Sequence, residues 1–233
     1  MQTLSRIFRG HWQLICLAVV IAILWPTQAV LPLRILTVFL HELSHAAATL
    51  LTGGEVVSLT IDPSEGGMVI SRGGNRFLTL TAGYTGSLVI GSALFVIALR
   101  TDWDRTVLAL FGGVTLAVAA VYIRDLFALG FTLATGAAML AAARYFSLAA
   151  NDMILRVIGI SSMIYAPLDI YDDTIARAYL RSDARMMAEE FGGATMLWGG
   201  LWLTISLAMI CVTLRYGLGP ASNISWRSLK PTS

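Results

Sequence analysis

Long uncharged stretches alternate with short polar ones along the whole chain. Trp12 to Leu33 carries no charge over 22 residues, enough for a helix across a hydrocarbon core about 30 Å thick. Pro26 and Pro32 bend or end that run. Its basic start at Arg6 and Arg9 also resembles a signal peptide, but the two prolines crowd any cleavage site after Thr27-Gln28-Ala29, so it is read as a span. Ile35 to Leu51 is a second helical run and stops at Gly53-Gly54, a good helix C-terminus. Phe77 to Leu99 follows with 23 uncharged residues. Thr106 to Ile123 and Leu126 to Ala143, split by Arg124 and Asp125, predict a hairpin of two helices. Met153 to Asp169, interrupted by Arg156, and Ala194 to Leu214 close the series. The pattern predicts an all-α polytopic membrane protein of about six to seven transmembrane helices.

Two polar segments break the series. Residues 55–76 hold two β-rich stretches, Val56 to Ile61 and Met68 to Ser71, around Asp62-Pro63-Ser64-Glu65-Gly66-Gly67. That arrangement predicts a short β-hairpin, and backbone that is not helical must be paired or wet near a membrane. Residues 172–193 carry eight charges, with Asp173/Arg177 and Arg185/Glu189 four apart. This spacing predicts an extramembrane helix laced by ion pairs. The chain therefore reads as a single multi-pass membrane domain over 1–218 and a flexible tail over 219–233.

Composition agrees with that reading. Hydrophobic residues make up 57% of the 233 and charged ones 13%, with a mean hydropathy of +0.74, which excludes both an ordinary soluble domain and a disordered chain. The net charge of +2 is spread thinly, so nucleic acid is excluded as a partner. Cys16 and Cys211 lie in apolar runs near opposite ends, with no second ligand close by, and read as packing residues.

The candidate chemistry sits in the second run, within a helix over 33–52. His41-Glu42-Leu43-Ser44-His45 is an HExxH match. Residues four apart share a helix face, so both imidazoles can reach one metal while Glu42 addresses metal-bound water as general base. Zinc suits such a set, because three protein ligands leave a fourth position for water. Two of the chain's three histidines are in this motif, and ionisable residues inside a span are costly and usually functional. His11 precedes the first span, so the third ligand must be a carboxylate. Asp169, at the end of the sixth run, is the first candidate, with Asp172 and Asp173 behind it. Asp125 and Asp152 read as loop ends, and Asp183 after Ser182 as part of a capped helix start.

These residues carry a family resemblance. HELSHAAATLLTGGEV, the PSEGGMV hairpin, AGYTGS and the late LDIYDD and SDA stretches resemble the compact multi-span branch of the site-2 protease family of intramembrane zinc metallopeptidases. The resemblance runs from about Leu33 to Asp183. It implies zinc on His41, His45 and an aspartate, Glu42 as catalytic base, and cleavage of the transmembrane segments of membrane-protein substrates. It also implies that the hairpin can pair with an unwound substrate strand. Two positions depart from the family pattern. Ile170 follows Leu168-Asp169 where the family has glycine, and Gly83-Tyr84-Thr85-Gly86-Ser87 replaces a Gly-Pro segment with a nearby asparagine. Ser87 and Tyr84 become candidates for the polar substrate contact, while Gly83, Gly86 and Gly91 read as a small-residue face for helix packing. The alternative function is a non-catalytic scaffold or chaperone-like protein that binds client helices in the bilayer. The presence of Glu42 argues against it, and the absence of inverted repeats argues against a transporter.

Overall fold

The computed structural model describes residues 2–224, with side chains from residue 8 onward. Its elements are α1 (Gln2–Leu24), α2 (Leu31–Leu51), β1 (Glu55–Ile61), β2 (Gly67–Arg72), α3 (Arg76–Arg100), α4 (Asp104–Tyr122), α5 (Leu126–Tyr145), α6 (Leu148–Tyr171), α7 (Asp183–Phe191) and α8 (Thr195–Gly217). Helices α3, α4, α5, α6 and α8 are each long and apolar enough to cross a membrane, and the bent pair α1 and α2 adds a sixth crossing if it counts as one span. The chain is thus an integral, multi-pass membrane protein.

Local chemistry explains most of the boundaries. Pro26 cannot continue α1, which ends at Leu24 instead of Leu33, and the chain turns through 116° before α2. Pro32 stands in the first turn of α2, where its missing N–H costs nothing. Asn75, Asp125 and Ser147 cap α3, α5 and α6 by accepting a backbone N–H three residues on. In α6 the run does not break at Arg156, because that side chain is neutralised where it lies. Its Nε and Nη2 donate to the Asp152 carboxylate one turn back, the latter at 2.7 Å, and Nη1 donates to the Ser222 carbonyl. Near its other end, α6 contains Pro167 and passes into a π-helical turn at Asp172–Ala176.

Helix α3 packs against α2, α6 and α8. The small-residue face does what its composition predicts at two positions: Gly86 lies against Ser44 of α2, and Gly91 against Gly159 and Ser162 of α6. Ser162 Oγ donates to the Ser87 carbonyl at 2.9 Å across the α3–α6 contact. Phe39, Leu40, Leu59, Ile61, Leu108 and Leu155 are among the side chains fully buried in the main core. Strands β1 and β2 form an antiparallel two-stranded sheet with an irregularity between Val56 and Ser58. Val56, Leu59 and Ile61 of β1 are buried in that core, whereas β2 is largely exposed. Thr60 Oγ1 donates to Asp125 Oδ2 at 2.6 Å, and Arg34 lies 3.2 Å from Glu65, so the hairpin is tied to both α5 and α2.

After α8 the chain returns to α1. Ser222 N–H donates to the Gly10 carbonyl at 2.8 Å, and Ile224 N–H to Gln13 Oε1 at 2.6 Å, with Ser222 and Ile224 both buried. The rest of the tail expected to be flexible, residues 225–233, lies outside the described residues. Cys16 and Cys211 are both free and exposed.

The Arg156–Asp152 pair makes the first prediction. Arg156→Met leaves the half-buried Asp152 carboxylate unpaired and is expected to cost about 1–3 kcal/mol. Arg156→Met with Asp152→Leu is expected to recover most of that loss, as read from thermal unfolding in detergent.

Candidate metal centre

The helical spacing of His41 and His45 puts both rings on one face of α2, with their centroids 4.7 Å apart and their planes nearly perpendicular. His45 is oriented by α3: its Nδ1–H donates to the Thr79 carbonyl at 2.7 Å, leaving Nε2 free. That nitrogen and His41 Nε2 both converge on Asp183 Oδ2, at 3.0 and 3.1 Å. Asp183 opens α7, where Ser182 Oγ accepts the Arg185 N–H and where an acidic residue also suits the helix dipole. Burial pushes the Asp183 carboxyl up, but the imidazoles of His45 and His41 more than offset it and hold the group well below the usual carboxylate range.

Together His41, His45 and Asp183 form a buried group able to hold a metal ion. Three features fit a small divalent ion such as zinc. The ligand types are two imidazoles and a carboxylate. The 3.0 and 3.1 Å separations are close to the roughly 3.3 Å between ligands that sit about 2.0–2.1 Å from a tetrahedral ion. Third, α3 approaches through Gly83, where a Cβ would run into His41 Nε2 and Asp183 Oδ2. The absence of a side chain there keeps the space between the ligands open, so this glycine lines the centre besides packing the helices.

Asp169, the first candidate from the sequence, lies on the other side of the His41 ring, with Oδ2 3.5 Å from Nδ1. That nitrogen is buried and has no hydrogen-bond partner. Asp172 is half exposed, with Arg177 3.8 Å away. Asp173 accepts the Tyr84 hydroxyl at 2.6 Å, and the Tyr84 ring in turn meets His41 edge-on with centroids 5.1 Å apart. Tyr84 and Ser87, the candidates for a substrate contact, are fully buried. The Ser87 hydroxyl donates within its own helix, to the Gly83 and Tyr84 carbonyls, so neither residue offers a free polar group. Glu42 is buried, next to His41 in the chain. The start of β2 comes so close that a Cβ at Gly67 would overlap its carboxylate.

From sequence alone, Ser182-Asp183 is fully accounted for as a helix start, which hides the second use of Asp183. The cap is indeed formed, but the first residue after a cap is free to turn its carboxylate elsewhere. The signal that could have found it is the SDA stretch among the residues carrying the family resemblance.

Comparison with protein-family models matches residues 14–213 to a model described as Peptidase M50B-like. No curated protein and no solved structure matches at a significant level.

The role of the bare backbone at Gly83 is open to test. The wild-type chain is expected to take up one equivalent of divalent metal and Gly83→Val to take up none, measured by elemental mass spectrometry. Helical circular dichroism should be retained.

Proposed function

The chain belongs to the Peptidase M50B-like family, whose fold is that of the site-2-protease type of metallopeptidase, and on that premise we propose that it is an intramembrane zinc metalloprotease. Its substrates are membrane proteins, cut in or near their transmembrane segments. The observation that carries the reading is the convergence of His41 Nε2, His45 Nε2 and Asp183 Oδ2 beside a buried Glu42.

In this mechanism His41 and His45 would hold zinc through Nε2, and Asp183 would complete the set. Asp169, the first candidate for the third ligand on sequence grounds, takes a different part. From 3.5 Å it faces the unpartnered Nδ1 of His41, where a carboxylate fixes the tautomer and raises the basicity of a ligating imidazole. The Thr79 carbonyl does the same for His45. A zinc ion held by these residues would supply Lewis acidity, which activates a water and polarises a carbonyl. Glu42 accepts the proton of the attacking water and delivers it to the leaving amine. Burial of the centre excludes bulk water, which strengthens each of these electrostatic interactions.

A peptide bond inside a helix is shielded, so the substrate must be locally extended at the cut. The hairpin supports such a geometry. Strand β2 belongs to a sheet of only two strands and starts at Gly67 against Glu42. An unwound substrate segment added along β2 would bring its backbone to the general base. Substrates with helix-breaking residues near the cut are favoured for the same reason.

The test uses purified protein in proteoliposomes with a panel of transmembrane reporter substrates. Glu42→Gln is expected to lower cleavage by at least about 100-fold, with zinc content unchanged. Asp183→Asn is expected to lose the metal, whereas Asp169→Asn keeps the stoichiometry with about 10–100-fold weaker zinc affinity. Zinc retained by Asp183→Asn and lost by Asp169→Asn would return the third ligand to Asp169. A zinc-loaded wild type that cleaves none of the panel would favour a client-binding scaffold.

A further inference from the structure

Away from the metal centre, helices α4 and α5 form a hairpin whose residues are mostly unburied, and one face of it is concave. A groove of about 730 Å³ runs between them, lined by Ala109, Gly113 and Ala117 of α4 and Leu140 of α5, with Arg105 and Arg144 together at one end. It is shallow and open along its length, not an enclosed cavity. The groove exists because three residues on successive turns of α4 are too small to fill it. A Cβ at Gly113 would meet nothing within 4 Å.

The two arginines indicate the occupant. Arg105 Nη2 donates to the Phe146 carbonyl at 3.0 Å, which leaves its other N–H groups available. Arg144 lies over the Tyr145 ring, 5.5 Å from its centroid. Among the described residues no carboxylate pairs with either guanidinium. Asp102 is exposed in the preceding loop, and Asp104 is buried near Asp152 and Arg156. Trp103 and Tyr145 are 68% and 78% exposed at the same end of the hairpin, the distribution of an aromatic belt at headgroup level. From Arg105 to Ala117 the helix rises about 18 Å, roughly one leaflet of a core about 30 Å thick. A transmembrane helix lying in the groove would need the full thickness. A lipid entering from one leaflet needs only this length.

We propose that the α4–α5 groove is a binding site for one anionic phospholipid, its phosphate on Arg105 and Arg144 and an acyl chain along Ala109, Gly113 and Ala117. Planar guanidinium groups suit phosphate oxygens, and basic pockets between membrane helices are a known form of headgroup recognition. The site is independent of the metal centre and of any proteolytic activity.

Native mass spectrometry of the full chain released from detergent tests it, with phosphatidylglycerol and phosphatidylcholine of identical acyl chains in competition. The wild type is expected to retain one phosphatidylglycerol with about tenfold preference. Arg105→Gln with Arg144→Gln should abolish the preference, and Gly113→Leu, which fills the groove, should remove the retained lipid. Equal retention of the two lipids by the wild type would overturn the proposal without recourse to a variant, as would a preference that survives both changes. Wild-type dimers that vanish on Gly113→Leu would assign the groove to a second copy of the chain instead.

Discussion

Two imidazoles and a carboxylate meet at one point in the buried interior, and much of the molecule is arranged around that contact. His41 and His45 sit 3.1 and 3.0 Å from Asp183, a cluster too costly to desolvate unless its members satisfy one another or a metal. Reaching it takes three separate elements: α2 for the histidines, α7 for the carboxylate, and the bare backbone of α3 at Gly83 to leave room. The packing of α2 against α3 and of α3 against α7 is thus part of the centre as much as of the fold.

The same rule governs the groups around it. Asp169 faces the otherwise unpartnered Nδ1 of His41, and Thr79 accepts from His45. Tyr84 joins the ring of His41 to Asp173. These contacts stiffen the imidazoles before any metal arrives, which is the condition for a site of fixed geometry. The hairpin follows the rule at the level of backbone. A strand near a membrane must be paired, and β1 is buried against the core while β2 keeps an open edge near Glu42. An open edge beside Glu42 is where, in the proposed function, an extended peptide would complete the ladder.

At the other end of α6 a second polar cluster is solved differently. Arg156, Asp152 and the Ser222 carbonyl neutralise one another with no reactive group among them, and the return of the chain to Gly10 and Gln13 closes α1 onto α6. Burial of charge in this protein therefore has two outcomes. Where the set contains imidazoles and a free carboxylate around an open space, it suits a metal; where an arginine fills the space, it fastens helices.

The pattern of residues along the chain was sufficient for a multi-pass helical architecture, the interruption of the first run at Pro26, the hairpin between α2 and α3, and the pair His41 and His45 with Glu42 between them. All of these depend on neighbours within a few residues, where periodicity, proline and cap chemistry act directly. Tertiary structure alone decided which carboxylate meets the histidines. Asp183 is 142 positions from His41, and nothing local distinguishes it from Asp169 or Asp173, because each also has an ordinary explanation at a helix end. It alone decided too that Tyr84 and Ser87 are spent inside the core. These outcomes follow from how helices pack across long sequence separations. A residue's own type and spacing limit what it can do there, but its partners are chosen by the fold.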